Sequence, residues 1–248
     1  MEFSEQAVIL QVGKMREADL WVRLLSPSRG VYSAFAFGGS RSRRRFVGCL
    51  DMFNRVLFRV EQSPRSQYLT LREGVLLQGP ARLRTDWGRL GIAVNCAKFL
   101  QAFGLTPEGA GKAHALFCEL LQALEEGENT PNLLPVFFRM RLAYDQGYAV
   151  NPSTCAECGK DIQIEGAYFS VRAGVLVCGG CVGLCPDKPL AMSSEALAVL
   201  RAVLFSPLAQ WGSVVVSLRG RNECGRAIDG FIHYHVGLSW ENGYFARS

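Results

Sequence analysis

From Arg55 to Gln62 the chain alternates, with Val56, Phe58 and Val60 on one side and Arg55, Leu57 and Arg59 on the other. A period of two is the mark of a half-buried strand. Four more stretches of the first eighty or so residues share its β-branched and aromatic make-up: QAVILQVGKM from Gln6, LWVRLLSP from Leu20, GVYSAFAFGG from Gly30 and QYLTLREGVLL from Gln67. Turn-forming residues separate strands at 26–30 (SPSRG) and 62–66 (QSPRS). Five strands in so short a length predict a small barrel, and the five-stranded OB-fold is the common barrel of this size that handles nucleic acid.

After Gly79 and Pro80 the period lengthens to that of a helix. Asp86 is a suitable N-cap, and Leu90, Val94, Ala97 and Leu100 follow on one stripe. AGKAHALFCELLQALEEG repeats the pattern with Leu116, Leu120, Leu121 and Leu124, and Gly127 stops it. LLPVFFRMRLAYDQGY makes a third helix with Phe137, Phe138, Leu142 and Ala143 inward and Gly147 at its end. Helical patterns return at SSEALAVLRAVLF and around CGRAIDGFIHYHV, and the short loops predict one bundle. The expected fold is α+β and multidomain: an OB-fold over 1–79, a helical domain over 80–152 that resumes at 187–248, and a cysteine-rich insertion at 153–186.

Five of the nine cysteines fall in that insertion. Cys155 and Cys158 form one CxxC knuckle, and Cys178 and Cys181 form another after nineteen intervening residues. Two knuckles separated by enough chain for a hairpin match a four-thiolate zinc ribbon, since each CxxC turn points two sulfurs at one ion. Gly159 and Gly179, just past the knuckles, suit the turn geometry. Cys185 is a fifth thiol able to replace a ligand. Disulfides or buried free thiols are the plainer alternatives; zinc is the expectation, and a structural one, because His114, His233 and His235 all lie far along the chain. A catalytic zinc would keep an open position, with histidine or carboxylate among its ligands. No GxxxxGK[ST], GxSxG or deaminase H-x-E pattern occurs, so a non-catalytic protein is expected.

Charge changes the picture further. The net charge of +5 is uneven: up to Arg89 there are 15 Lys and Arg against 8 Asp and Glu, and from Leu90 onward 12 against 14. All the excess lies in the first third, which implies a basic face for a polyanion. The opening MEFSEQ lacks a secretory pattern, and the longest uncharged run, 202–218, is broken by Pro207, Gln210, Gly212 and Ser213. A soluble cytoplasmic protein without membrane contact is expected.

Arg41, Arg43, Arg44 and Arg45 crowd the segment GGSRSRRRF after the third strand. A charge run is usually a solvated loop. Here Gly38, Gly39, Ser40 and Ser42 offer N–H groups and hydroxyls to phosphate, and Arg55 and Arg59 on the outer face of the next strand extend the patch. Tyr32, Phe46 and Tyr68 are candidates for base stacking or for the core.

The chain resembles the RecO family of bacterial recombination mediators over nearly its whole length. The stretches that carry the likeness are EADLWVRLLSPSRGVYSAFAFGGSRSRRRFVGCLDMFNRVLFRV, FRMRLAYDQGYAVNPSTCAECG, YFSVRAGVLVCGGC and IDGFIHYHVGLSWENGYFARS. The resemblance implies an OB barrel, a helical domain and a zinc module. It implies binding of single- and double-stranded DNA, annealing of complementary strands, and work with RecR to load RecA onto DNA coated by single-strand-binding protein. It also implies that the four arginines belong to a DNA-contacting loop, although the early arginine and the lysine that the family's loop often carries are missing here. A groove carrying Arg139 and Arg141 is a candidate receiver for the acidic tail of single-strand-binding protein, with core packing the alternative, and Arg219 and Arg221 are a fallback DNA site. The competing reading is a zinc-ribbon adaptor in transcription or RNA handling.

Overall fold

A computed structural model describes residues 1–63, 68–127, 133–162, 166–213 and 216–247. Most of the turn expected at 62–66 lies outside the described residues. The chain divides into two compact units, one of Met1–Leu90 with Gly104–Glu125 and one of Gly91–Phe103 with Glu126–Ser248.

The first unit is built on strands β1 (Glu2–Lys14), β2 (Leu20–Ser26), β3 (Gly30–Ala36), β4 (Arg55–Gln62) and β5 (Leu69–Gln78). β1 pairs antiparallel with both β2 and β4, β4 pairs with β5, and β5 meets β3 in a short parallel ladder at Ala34–Leu69 and Phe35–Thr70. Every strand therefore has two neighbours and the sheet closes as a barrel in the order β1-β2-β3-β5-β4. Alternation drives this closure: Ala7, Ile9, Val22, Leu24, Val56, Phe58, Val60 and Leu71 share one interior. β1 starts earlier than its apolar run suggests, because Glu2–Gln6 pair with Leu57–Glu61 across the barrel. Backbone pairing there needs no apolar side chain.

Two helices join the barrel in this unit. α1 (Arg82–Thr85) has its first N–H groups capped by Glu125, which accepts from Ala81, Arg82 and Leu83 at 2.8–3.0 Å. α3 (Ala110–Glu126) buries Ala113, Leu116, Phe117, Leu120 and Leu124, and Phe117 meets Phe53 at 6.1 Å. α2 (Trp87–Phe103) lies between them in the chain, and the division between the units runs through it. Asp86 caps it as expected, accepting from the Arg89 N–H at 3.1 Å. The expected single bundle is thus divided: α3 clusters with the barrel, while the later helices cluster in the second unit.

In the second unit α4 (Leu134–Asp145), α5 (Ser194–Phe205) and α6 (Leu218–Phe231) pack on one another around Phe137, Phe138, Leu142, Leu200 and Trp211. β6 (Ala167–Ser170), β7 (Val175–Val177) and β8 (Leu190–Met192) form a small antiparallel sheet. β9 (Leu238–Glu241) and β10 (Tyr244–Arg247) close the chain as a hairpin. No helix among the described residues is long and apolar enough to cross a membrane. Charge follows the division: the first unit holds 16 Lys and Arg against 11 Asp and Glu, and the second holds 11 of each. The net charge belongs entirely to the barrel unit.

Candidate nucleic-acid interface and metal centre

The segment 37–54 joins β3 to β4, and buried residues fix it at several points. Phe46 and Cys49 sink into the barrel core. Asn54 donates to the carbonyls of Gly48 and Cys49, and the Arg45 carbonyl accepts from Gly74 on β5 at 2.8 Å. At its start the Gly38 N–H donates to Asp19 at 2.7 Å and the Ser40 N–H donates to the Ala18 carbonyl at 3.1 Å. The loop is held by its apolar members, and its charged members are left at the surface.

The six candidate arginines fare differently. Arg43 and Arg44 are exposed and have no partner among the described residues. Arg45 is exposed too, but its Nη2 donates to the Phe37 carbonyl at 2.7 Å and its guanidinium lies 5.2 Å from the Phe46 ring centre. Arg41 pairs with Glu17 at 3.3 Å, both side chains well exposed. Arg59 sits between Glu73 at 3.3 Å and Glu2 at 3.7 Å. Arg55 occupies the outer face as the alternation predicts, yet its Nε is buried without a bond and its guanidinium turns toward Cys118 of α3. The patch expected to run from the loop along β4 is therefore interrupted: Arg55 is drawn into packing and Arg59 is neutralised by carboxylates.

Three of the four backbone N–H groups proposed to help bind phosphate are also committed. Those of Gly38, Ser40 and Ser42 donate within the protein, the Gly39 N–H being the one of the four without a partner among the described residues, and the Ser42 hydroxyl accepts from the Arg45 N–H. A phosphate bound here meets chiefly guanidinium groups, since a nest needs successive free N–H groups and only that of Gly39 is left. Beside the loop runs a groove of about 840 Å³ whose lining includes Lys14, Ser40, Ser42, Arg43 and Arg84. Lys14 and Arg84 were not legible as site members, since both lie far along the chain from the arginine run, and Arg84 is already met by Asp51 at 3.2 Å and Asn54 at 2.6 Å. Of the stacking candidates, Phe46 is core, and Tyr32 packs against the core with burial holding its hydroxyl above the usual phenol range. Tyr68 is exposed.

At the cysteine module the spacing translates directly into geometry. The first knuckle is closed by the Cys155 N–H donating to the Lys160 carbonyl at 2.8 Å, with Gly159 at φ 72° making the turn. Gly179 is not among the positive-φ glycines, so the second knuckle turns without that freedom. β6 and β7 are the expected hairpin, and the Ala156 N–H donates to Leu176 of β7 at 2.9 Å, bringing the knuckles together. The sulfurs of Cys155, Cys158, Cys178 and Cys181 all lie within 4.8 Å of one another, and those of Cys158 and Cys178 are 3.7 Å apart. A tetrahedron with Zn–S bonds of about 2.3 Å has edges of roughly 3.8 Å, so the set fits zinc.

The electrostatics agree. Burial opposes ionisation of Cys155, but the N–H groups of Cys178, Cys158 and Glu157 outweigh it and bring the thiol down to about 6. Cys181 is pushed up to about 12, first by hydrogen bonding with the Cys158 and Cys178 thiols. Four sulfurs this close ionise together only around a cation. Cys185 is outside the four-sulfur group.

Other candidates are engaged within the protein. Arg139 is buried in the second unit, paired with Asp229 at 2.6 Å, and Arg141 holds Asp145 and donates to the carbonyls of Val203 and Ser206. Both guanidinium groups serve the helix packing, which leaves neither free for an acidic tail. Arg219 is tied to Glu223 and Arg221 to the Val216 carbonyl. His235 bonds to the Val171 carbonyl and His233 to Ser239.

These features define a class: a two-part chain that presents uncompensated positive charge on a small barrel and carries a closed four-thiolate metal module. Family models make the assignment specific. The model described as Recombination protein O N terminal matches residues 1–80, and Recombination protein O C terminal matches residues 84–242. The chain is 51% identical over the full length of both chains to the DNA repair protein RecO of Oleidesulfovibrio alaskensis, and equally to that of Nitratidesulfovibrio vulgaris. A more distant relative, the DNA repair protein RecO of Rubrobacter xylanophilus, is 30% identical over 91% of this chain and 88% of its own. The chain belongs to the RecO family.

Proposed function

We infer that this protein is a DNA-binding mediator of recombinational repair. It anneals complementary single strands and, with RecR, helps load RecA onto DNA coated by single-strand-binding protein. The observation that carries the DNA site is the pair Arg43 and Arg44, exposed and without a partner among the described residues, on a loop that buried Phe46 and Cys49 hold in place. Arg45 positions the loop end, Arg41 adds charge that Glu17 partly offsets, and Arg55 and Arg59 flank the site on β4.

The barrel at 1–79 works as an OB-fold, the segments 80–152 and 187–248 as a helical domain, and 153–186 as a zinc-braced module. Annealing requires no bond-making residue. Two complementary strands repel through their phosphates, and a surface that neutralises one of them lowers the barrier to a first base-paired match. The four cysteines would hold one zinc ion with no open position, so the ion braces the fold and leaves the chemistry untouched. The place of work is the cytoplasm, at the nucleoid.

The test mixes purified protein with complementary labelled oligonucleotides coated by single-strand-binding protein and follows duplex formation. Acceleration is expected, and Arg43→Ala with Arg44→Ala should slow it. Each lost phosphate contact should flatten the slope of log affinity against log salt by about 0.7 on single strands. No acceleration by the parent protein, with RNA binding intact, rejects the mediator reading in favour of an adaptor role.

A further inference from the structure

The solvent side of β2 and β3 carries aromatic rings where an outward strand face ordinarily carries polar groups. Phe35 stands opposite Trp21 in the β2–β3 ladder, and Trp21 stands opposite Gly13 in the β1–β2 ladder. The indole lies against Gly13 so closely that any side chain there would collide with it. Phe37 follows Phe35 on the same face, with ring centres 6.2 Å apart and planes 21° from parallel. Tyr68 meets Phe35 edge-on at 5.5 Å.

These rings have left the barrel interior to other residues, and Phe37 and Tyr68 remain 46% and 64% exposed. The row ends where the cationic loop begins, because the Arg45 guanidinium donates to the Phe37 carbonyl at 2.7 Å. An occupant matched to this surface has flat apolar faces and a negatively charged backbone running beside them.

We propose that Trp21, Phe35, Phe37 and Tyr68 form a stacking platform for unpaired bases, which adds to the protein's affinity for single strands and not to its affinity for duplex. The proposal rests on the DNA-binding reading above and adds the basis of strand discrimination. Phosphates are equally present in single strands and duplexes, so Arg43 and Arg44 attract both. Base faces are open only in single strands, where they stack on aromatic side chains with little regard to sequence. Once a base pairs with its complement and stacks within a helix, it leaves the platform. The annealed product is then held by the arginines alone and departs faster than the strand it came from.

The experiment measures binding of oligothymidylate and of a blunt duplex by the parent, by Phe37→Ala with Tyr68→Ala, and by Arg43→Ala with Arg44→Ala, each across a salt series. Stacking contacts are worth roughly 5- to 150-fold per base. The aromatic variant should lose affinity for oligothymidylate within that range, hold duplex affinity within about twofold, and keep its salt slope, since no phosphate contact is lost. Phe37→Trp should retain oligothymidylate binding. Both rings are at the surface, and unchanged thermal melting will verify the fold. Equal losses on both probes, or none on either, overturn the platform. An arginine variant that binds both probes as the parent does removes the DNA site itself, a result distinct from failure of the platform.

Discussion

The loop at 37–54 and the module at 153–186 both crowd groups of one charge into a small volume, and they resolve the repulsion in opposite ways. In the module the like charges face inward and converge to within 4.8 Å, which only a cation can satisfy. In the loop Arg43 and Arg44 face outward and no group among the described residues meets them. Neighbouring cations 4 Å apart in water repel by only about 1 kcal/mol, a burden a folded barrel carries easily. Four thiolates converging on one point could not be carried that way. A charge cluster met from inside is structural, and one left unmet awaits a ligand from outside.

The largest expected effect breaks the inward case. Cys155→Ser removes the most buried of the four ligands and should abolish stoichiometric zinc, read by atomic absorption as a fall from about one ion per chain. Structural zinc contributes roughly 10–16 kcal/mol in isolated zinc-finger peptides, so the β6–β7–β8 module should lose its fold, seen as protease cleavage within 153–186. Oligonucleotide affinity should change far less, because the net charge lies in the other unit. Parallel collapse of both properties would show that the inward and outward clusters are not separable.

That contrast also explains what the sequence made legible. The CxxC pairs were readable because metal geometry acts through spacing, and spacing is a property of the string. The barrel strands were readable through the alternation at Val56, Phe58 and Val60, which the closed sheet buries together. Placement of α3 with the barrel was not readable, since an amphipathic stripe such as Leu116, Leu120 and Leu124 says that a helix is covered but not by what. The partners of Arg59 were hidden for a similar reason: Glu2 and Glu73 lie 57 and 14 positions away and are brought up only by β-sheet register. The aromatic platform was missed because Phe35 and Phe37 read as ordinary members of an apolar strand. Only the barrel interior, already filled by Ala34 and Ala36 from that strand, shows that these rings must face out.

An intermediate case sharpens the rule. Glu125 is a charge met by backbone donors: burial alone would raise its pKa, but the N–H groups of Arg82, Leu83 and Ala81 outweigh this and hold it below the usual carboxylate range. A depressed pKa means stability that is complete above the ordinary carboxylate range and disappears as pH falls through the folded-state value. Glu125→Gln should therefore cost about 1 kcal/mol at neutral pH, the scale of a helix cap. In denaturant titrations repeated down the pH scale, the gap from the parent should close in acid, where the native carboxyl is itself protonated. A gap that persists unchanged in acid would mean that shape, not charge, does the capping.

The smallest effects lie with arginines that surface carboxylates already meet. Arg59 has two acidic neighbours and Arg41 one, all at least half exposed or close to it. Exposed pairs of this kind contribute about 0–1 kcal/mol, so Arg59→Ala and Arg41→Ala should each shift stability by less than that. Their effect on DNA should rank by compensation. Arg59→Ala should move the salt slope on single strands by well under the ~0.7 of a full phosphate contact, and Arg41→Ala by an intermediate amount. Arg43→Ala and Arg44→Ala should each approach the full value. A polyanion must first displace the carboxylates from Arg59, and the energy of that displacement is subtracted from what the phosphate gains. If all four substitutions flatten the slope alike, the acidic neighbours are irrelevant and charge density alone governs the surface, which would erase the distinction between met and unmet charge on the barrel.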